Sequence, residues 1–564
     1  MNNETILLLE KYFDVAFAAP DGVKKLRELI LSLAMQGKLV PQDPSDQSAR
    51  ELLKEIEAEK SRLVKDGKIK PSKPLPEIKL DEVPYDLPKS WEWVRLGEIA
   101  NYNGRTNINP EQIESETWLL DLEDIEKDTS RIIYRAKYSE RESKSTKSTF
   151  LKGDVLYGKL RPYLNKVVVA DDDGICTTEI VPIVLFGKVD PHFLRWALKR
   201  PAFLDYVNTL MYGVKMPRLG TEQAVESIHP LPPIAEQRRI VAKIDELMAR
   251  CDDLEKLRQV HAQKQITVHN AALNQLLTAK DHNDFKTSWH FITQHFGELY
   301  SVKANVTELR KAILQLAVMG KLVPQDPNDQ PASELLNAIE VEKNRLVKEG
   351  KIKASKPLPE IKLEEVPYDL PANWKWVRVI DIVDVGTGST PATTNSEYYN
   401  GNIPWYTSSA TNDSFAKIPE TFITEKALKE TNCKIFPSGS LIIAMYGQGK
   451  TRGQISEIVL AGATNQAIAA MGFYESSKEL KQYIKYYFVK IYDEIRSIAE
   501  GAAQPNLNVG KIKETLIPLP PLAEQHRIVA KIDQLMTLCD ELEKQIDIAN
   551  SKKTNLLNSV MTKV

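Results

Sequence analysis

The chain has 564 residues, 42% hydrophobic and 27% charged, with a formal net charge of -2 and four cysteines. That length allows about three or four domains and a sizeable core, the balance is that of ordinary globular material, and no stretch approaches the roughly 20 apolar residues that span a bilayer. Cys176, Cys251, Cys433 and Cys539 lack CxxC spacing, which argues against a disulfide framework or a zinc site and for core packing.

The opening segment, "MNNETILLLEKYFDVAFAAPDG", is interrupted by Glu10, Lys11 and Asp14 and has no basic leader, so it reads as an amphipathic helix rather than a signal peptide and a cytoplasmic location is expected. Residues 22–36 put Val23, Leu26, Ile30 and Leu33 on one helical face, and Gly37 is a natural stop. A second helix at about 47–66 turns Leu52, Leu53, Ile56 and Leu63 inward. Pro71, Pro74, Pro76, Pro84 and Pro88 then enforce an extended stretch leading to "WEWVRLGEI", a first strand. From there to residue 229, short apolar runs such as "VLYGKL", "NKVVVA" and "EIVPIVLF" predict strands, with helix near "PHFLRWALKRPAFLDYV". "PLPPIAEQ" opens a long helix from 234 to about 278, roughly 65 Å at 1.5 Å per residue.

The chain then repeats itself. Residues 37–95 recur at 320–378 with 46 of 59 positions identical, and 230–256 recur at 518–544 with 21 of 27. The stretches between, 96–229 and 379–517, show little likeness, although "SLIIAMYG", "EIVLAG" and a helix at about 477–499 repeat the style of the first head. Like ends imply like partners on a pseudo-symmetric frame, and unlike heads imply two different targets. Ile240, Ile244, Leu247, Cys251 and Leu254 step four, three, four, three, as do Ile528, Ile532, Leu535, Cys539, Leu542 and Ile546. Both stripes are expected to be buried against each other as an antiparallel pair.

Charge is segregated. The helical repeats are acid-rich, whereas residues 147–166 hold Lys147, Lys152, Lys159, Arg161 and Lys166 against Asp154, and residues 433–454 hold Lys434, Lys450 and Arg452 with no acid. Basic patches in both heads favour nucleic acid over a merely solvated surface. In the first head "GDVLYGKLRPYLNK" reads as strand, turn, strand, offering Tyr157, Lys159, Arg161, Tyr163, Asn165 and Lys166. In the second, "GSLIIAMYGQGKTRGQ" offers Tyr446, Gln448, Lys450, Thr451, Arg452 and Gln454. Arginine and lysine can pair with guanine, and glutamine or asparagine with adenine, while other cations hold phosphates. Further candidates are "YGVKMPRL" (Tyr212, Lys215, Arg218) and "GAAQPNLN" (Gln504, Asn506, Asn508). Trp405, Tyr406 and Ser408 either line the same surface or fill the core.

Catalytic readings are weak. "GQGKT" at 447–451 has Ala444 where a phosphate-binding loop needs its first glycine, and "RGQISEIVLAG" after it reads as a strand where a helix is required. "NINPEQ" at 107–112 is only a superficial match to an adenine methyltransferase loop, and the eight histidines, among them His261 and His269, show no metal spacing and read as solvated helix positions.

Paired unlike heads, each closed by "PLPPxAEQxRIVAKID" and a helix, with "GTGSTPATTNSEYYNGNIPWYTSS" opening the second head, resemble the specificity subunits of Type I restriction-modification systems over nearly the whole chain. The resemblance implies an α/β (α+β) protein with two globular target recognition domains, separated by long helices packed as an antiparallel coiled coil. The corresponding division is an N-terminal helical region 1–85, recognition domain 86–229, long helix and linker 230–300, second helical region 301–368, recognition domain 369–517 and long helix 518–564. It implies a non-catalytic subunit reading one half of an asymmetric double-stranded DNA site with each head, with half-sites about one helical turn apart and a spacer of roughly 6 to 8 base pairs. Its partners would be two methyltransferase subunits, docked on the repeated helices, and two restriction or motor subunits. S-adenosylmethionine, ATP and Mg would sit on those partners, with no cofactor or metal on this chain and no membrane contact. The alternatives are a protein-assembly scaffold, or a specificity subunit of a methylation-only or anti-phage system without a nuclease.

Overall fold

The computed structural model describes residues 11–141, 144–210, 215–354, 358–447, 450–474, 477–500 and 507–562. They form two compact units, residues 1–261 with 548–564, and residues 262–547.

In the first unit, α1 (Gly22–Met35) covers Val23, Ile30, Leu31, Ala34 and Met35. It stops at Gly37, whose φ of 68° is left-handed, and the Lys38 N–H closes the turn onto the Leu33 carbonyl at 2.9 Å. A Cβ at Gly37 would stand 2.4 Å from Pro88 Cγ, so only glycine fits both the turn and its neighbour. α2 (Ala49–Lys65) starts at Ser48, whose hydroxyl accepts from the Glu51 N–H, and buries Leu52 and Ile56 against the head.

The first head is two packed sheets. One has four antiparallel strands in the order Ala100–Tyr102, Ile180–Leu185, Val155–Gly158, Val167–Val169. The other has five, Asn107–Ile108, Lys147–Phe150, Gly174–Thr177, Trp118–Leu120 and Ala136–Lys137. Alternation along Val155–Gly158 sends Val155 and Tyr157 to the helix-covered side, and Leu156 into the layer between the sheets with Phe150, Val168 and Ile180. Two helices cover the outer face, α3 (Pro191–Lys199) and α4 (Pro201–Leu210).

The head is closed by the repeated sequence. Strand Glu92–Arg95 pairs antiparallel with Ile228–Leu231. The Trp91 indole N–H donates to Glu236 Oε2 at 2.9 Å, Gln42 donates to the other Glu236 oxygen, and Arg239 pairs with Asp46 at 2.6 Å. Glu236 lies near the start of α5 (Ile234–Leu277), which follows Pro232 and Pro233.

The second unit repeats this pattern. It has α6 (His282–Gln294), α7 (Lys303–Val318) and α8 (Ala332–Lys348), then a head with sheets of five and four strands, the helices α9 (Lys478–Lys490) and α10 (Tyr492–Glu500), and α11 (Leu522–Met561). The helix expected at 477–499 is thus two helices, joined at Ile491. Lys375–Arg378 pairs with Leu516–Leu519, Trp374 Nε1 donates to Glu524 at 2.8 Å, and Gln325 and Arg527 repeat the roles of Gln42 and Arg239.

The apolar stripes differ from expectation in their partners. Ile240, Ile244 and Cys251 are buried on α1, Trp91 and α3, with Leu247 packed alongside, whereas Leu254 is exposed. Ile528, Ile532 and Cys539 are buried in the core of the second unit, with Leu535 and Leu542 packed against it. Each stripe therefore finds its cover within one unit, because the repeated N-terminal helix supplies an apolar face before the other stripe is needed. The far ends of the long helices change unit. Ala272, Leu273 and Leu276 of α5 join the core of the second unit, and Leu557 of α11 packs on Phe17 and Leu29 of the first. His269 is fully buried, not solvated, with its Nε2 3.1 Å from the Tyr300 hydroxyl.

Candidate nucleic-acid interface

In the first head the two candidate segments meet. The hairpin strands Val155–Gly158 and Val167–Val169 are joined by a loop containing a short turn at Pro162–Leu164, flanked by Arg161 at φ 50° and Asn165 at φ 53°. Residues 217–219 lie against that loop. The Arg161 N–H donates to the Pro217 carbonyl at 2.8 Å and the Leu219 N–H to the Lys159 carbonyl at 3.0 Å. Arg161, Tyr163 and Lys215 are exposed, and Lys159 is half-buried.

Three first-head candidates are otherwise engaged. Tyr157 is 3% exposed and lies edge-on to Phe203, because its strand position faces the helices; it is a core residue, not a contact to a ligand. Lys166 donates to the Leu122 carbonyl at 2.7 Å, and burial pulls its pKa below the usual lysine range. Arg218 forms a two-pronged pair with Glu179 at 2.9 and 3.1 Å. Asn165 is half-buried, and its Oδ1 has no hydrogen-bond partner among the described residues.

In the second head the strands Leu441–Ala444 and Ile455–Ile458 form the corresponding antiparallel hairpin. The segment between them leads into a strand, not a helix, which removes the architecture of a phosphate-binding loop. Tyr446 and Lys450 are exposed, whereas Thr451, Arg452 and Gln454 are half-buried. α10 grips this loop by its backbone, since the Tyr492 hydroxyl donates to the Lys450 carbonyl and Arg496 to the Arg452 carbonyl at 3.2 Å. The half-buried Ser408 begins a turn, Ser408–Asn412, that packs on both hairpin strands.

Trp405 and Tyr406 belong to the core. Trp405 is 9% exposed and donates to the Ser389 carbonyl at 3.2 Å; Tyr406 is fully buried and donates to the Leu460 carbonyl at 3.0 Å. Tyr406 fills the layer between the two sheets with Phe436, Ile442 and Ile468, and Trp405, on the opposite face of the strand Tyr399–Tyr406, packs with Ile403, Ile423 and Ala463. Asn508 is the N-cap of the helix Val509–Glu514, its Oδ1 accepting from the Lys511 N–H at 2.9 Å. Tyr212, Gln448, Gln504 and Asn506 lie outside the described residues.

Sequence reading missed the residues that hold the loops from behind. Lys199 and Ser130 do so in the first head, Tyr492 and Arg496 in the second. The available signal was a lysine at the end of an apolar helix, "FLRWALK", where burial demands a partner. All four cysteines are buried and free, and among the described residues no group of His, Cys, Asp or Glu is arranged to hold a metal ion. Among them, too, no helix is long and apolar enough to cross a membrane.

Two unlike sheet heads, each closed by a repeated strand pair and helix, define a class of protein that carries two different loop-bearing domains on one frame. Residues 371–549 match the model of the Type I restriction modification DNA specificity domain. The Type I restriction enzyme EcoAI specificity subunit of Escherichia coli is 35% identical across 96% of this chain and 93% of its own length. The EcoEI specificity subunit of Escherichia coli is 32% identical over the same shares. A solved structure titled for complex assembly and conformational transition of the type I R-M system aligns with a TM-score of 0.50 and 21% identity, covering 85% of this chain and 98% of that one, a likeness of fold. The chain belongs to the specificity subunits of Type I restriction enzymes. It is the DNA-recognition subunit of such a system, not a catalytic one.

Proposed function

We propose that this subunit reads a two-part, asymmetric site in double-stranded DNA, one half through each head, with 86–229 and 369–517 as target recognition domains. The observation that carries this is the common placement of the loops. In both heads an exposed cationic loop leaves a hairpin of the helix-covered sheet, Val155–Gly158 with Val167–Val169 in the first and Leu441–Ala444 with Ile455–Ile458 in the second, while its side chains differ. Lys159, Arg161, Tyr163 and Lys215 serve the first half-site, and Tyr446, Lys450, Thr451 and Arg452 the second. The exposed cations Arg161, Lys215 and Lys450 can reach phosphates and guanine edges.

The long helices α5 and α11 set the spacing of the half-sites, and the repeated helical regions dock two methyltransferase subunits. Two restriction or motor subunits complete the complex, which works in the cytoplasm. S-adenosylmethionine, ATP and Mg act on those partners, and this chain supplies the address.

The test is single-molecule sequencing of genomic DNA from a methylation-free host expressing the chain with its cognate methyltransferase. Adenine methylation confined to one split motif is the expected result. An assembled complex that leaves the DNA unmethylated would replace this function with that of a protein scaffold.

A further inference from the structure

Six non-glycine residues in the described chain have positive φ, and four of them lie at one place in the first head, Asp128, Ser130, Arg161 and Asn165. Such conformations persist only where surrounding bonds enforce them, and they gather where geometry matters for function. Here the enforcing bonds converge on Ser130, which is 4% exposed. Its hydroxyl donates to the Asn165 carbonyl at 2.9 Å and accepts from the Val167 N–H at 3.1 Å, thereby tying down the exit of the Arg161–Asn165 loop. The Asp128 N–H adds a bond to the Leu164 carbonyl at 3.3 Å.

Behind Ser130 stands Lys199, the last residue of α3, itself 5% exposed. Its ammonium donates to the Ser130 hydroxyl and to the Asp128 carbonyl, the latter at 2.6 Å. Among the described residues no carboxylate forms an ion pair with it; burial, together with repulsion from Arg195 and only partly offset by the Asp128 charge, draws its pKa down to about 7. A buried cation so weakly compensated costs stability. The fold keeps it where it fixes two carbonyl-bearing turns beneath Arg161 and Tyr163. In the second head α10 does the same job differently, through Tyr492 and Arg496 on the carbonyls of Lys450 and Arg452.

We propose that Lys199 and Ser130 form a positioning post for the DNA-reading loop of the first head, so that selectivity at the first half-site, and only there, depends on the Lys199 ammonium. This rests on Arg161–Asn165 being the reading loop. Neither post residue touches DNA; both act through the backbone that aims Arg161 and Tyr163.

The experiment uses the full chain assembled with its methyltransferase, and duplexes carrying the motif found by methylation sequencing, intact or scrambled in one half. Lys199→Met, Ser130→Ala, the double variant and Arg161→Ala are compared by the ratio of Kd for scrambled over intact duplex, half by half. Expected is a fall of about tenfold in first-half discrimination for Lys199→Met, a smaller fall for Ser130→Ala, and a double variant no worse than Lys199→Met, because the two act as one device. Second-half discrimination stays within about twofold.

Unchanged first-half discrimination in Lys199→Met and Ser130→Ala, with Arg161→Ala impaired, overturns the post and leaves the reading loop standing. Unchanged discrimination in Arg161→Ala overturns both. Hydrogen exchange over the strands of the first head separates mispositioning from unfolding. A loss of selectivity in Ser130→Ala with native protection supports the post, whereas a loss seen only where protection collapses contradicts it.

Discussion

His229 occupies the closing strand of the first unit at the position where the second unit has Ile517, and the two cores are built around that difference. In the first, Arg200 donates to the Ile228 carbonyl at 2.6 Å and lies 2.8 Å from His229 Nδ1, while Ser227 meets Nε2 at 2.8 Å. In the second, the Tyr487 hydroxyl donates at 2.6 Å to the carbonyl of Leu516, the repeat counterpart of Ile228. The demand is the same, a buried strand carbonyl that needs a donor. A guanidinium backed by an imidazole meets it in one unit, a neutral phenol in the other. The repeated clip thus tolerates unlike chemistry beneath it, which is how one frame can carry two independent heads.

The largest test of that equivalence is cavity formation in the clip. Ile244→Ala and Ile532→Ala each remove side-chain bulk from a fully buried position, and each should cost about 2–5 kcal/mol. Hydrogen exchange resolved by peptide should place the loss in the first unit for Ile244→Ala and in the second for Ile532→Ala. Next comes Tyr487→Phe, which leaves the Leu516 carbonyl without its donor and should destabilise the second unit by about 1–3 kcal/mol in denaturant melts.

Acid should then separate the units without mutation. Burial and the Arg200 charge hold His229 well below its ordinary 6.5, so below that pH the unfolded chain binds a proton that the folded chain refuses. The first unit should lose about 1.4 kcal/mol for each pH unit below 6.5 from this group. The second unit, with Ile517, has no matching loss at that position. His229→Leu should flatten the acid limb of the first unit's melting curve; an unaltered limb would assign the acid sensitivity elsewhere.

Much of the frame was legible in the sequence. The heptad-like steps, the proline-rich extended stretch and Gly37 located helices α1, α2 and α5 within a residue or two, because helix periodicity and stop signals are local. The cover of the stripes was not local. The sequence offers α5 and α11 as partners for one another, but the faces of α1 and α7 compete for the same apolar residues and cover them first. Among site residues, the hairpin loops could be found from charge and turn chemistry. Tyr157, Trp405 and Tyr406 could not be sorted from contact residues, since an aromatic beside a cation looks the same in sequence whether its strand faces the core or the solvent. The post at Lys199 depended on a turn some 70 residues away, a pairing that no local pattern contains.

The central claim is that recognition is divided between two heads on one frame. Its most direct test replaces residues 96–229 with the corresponding head of another specificity subunit of the family and maps methylation by single-molecule sequencing. One half of the motif should change to that of the donor while the other half is retained. A motif altered in both halves, or in neither, would contradict it.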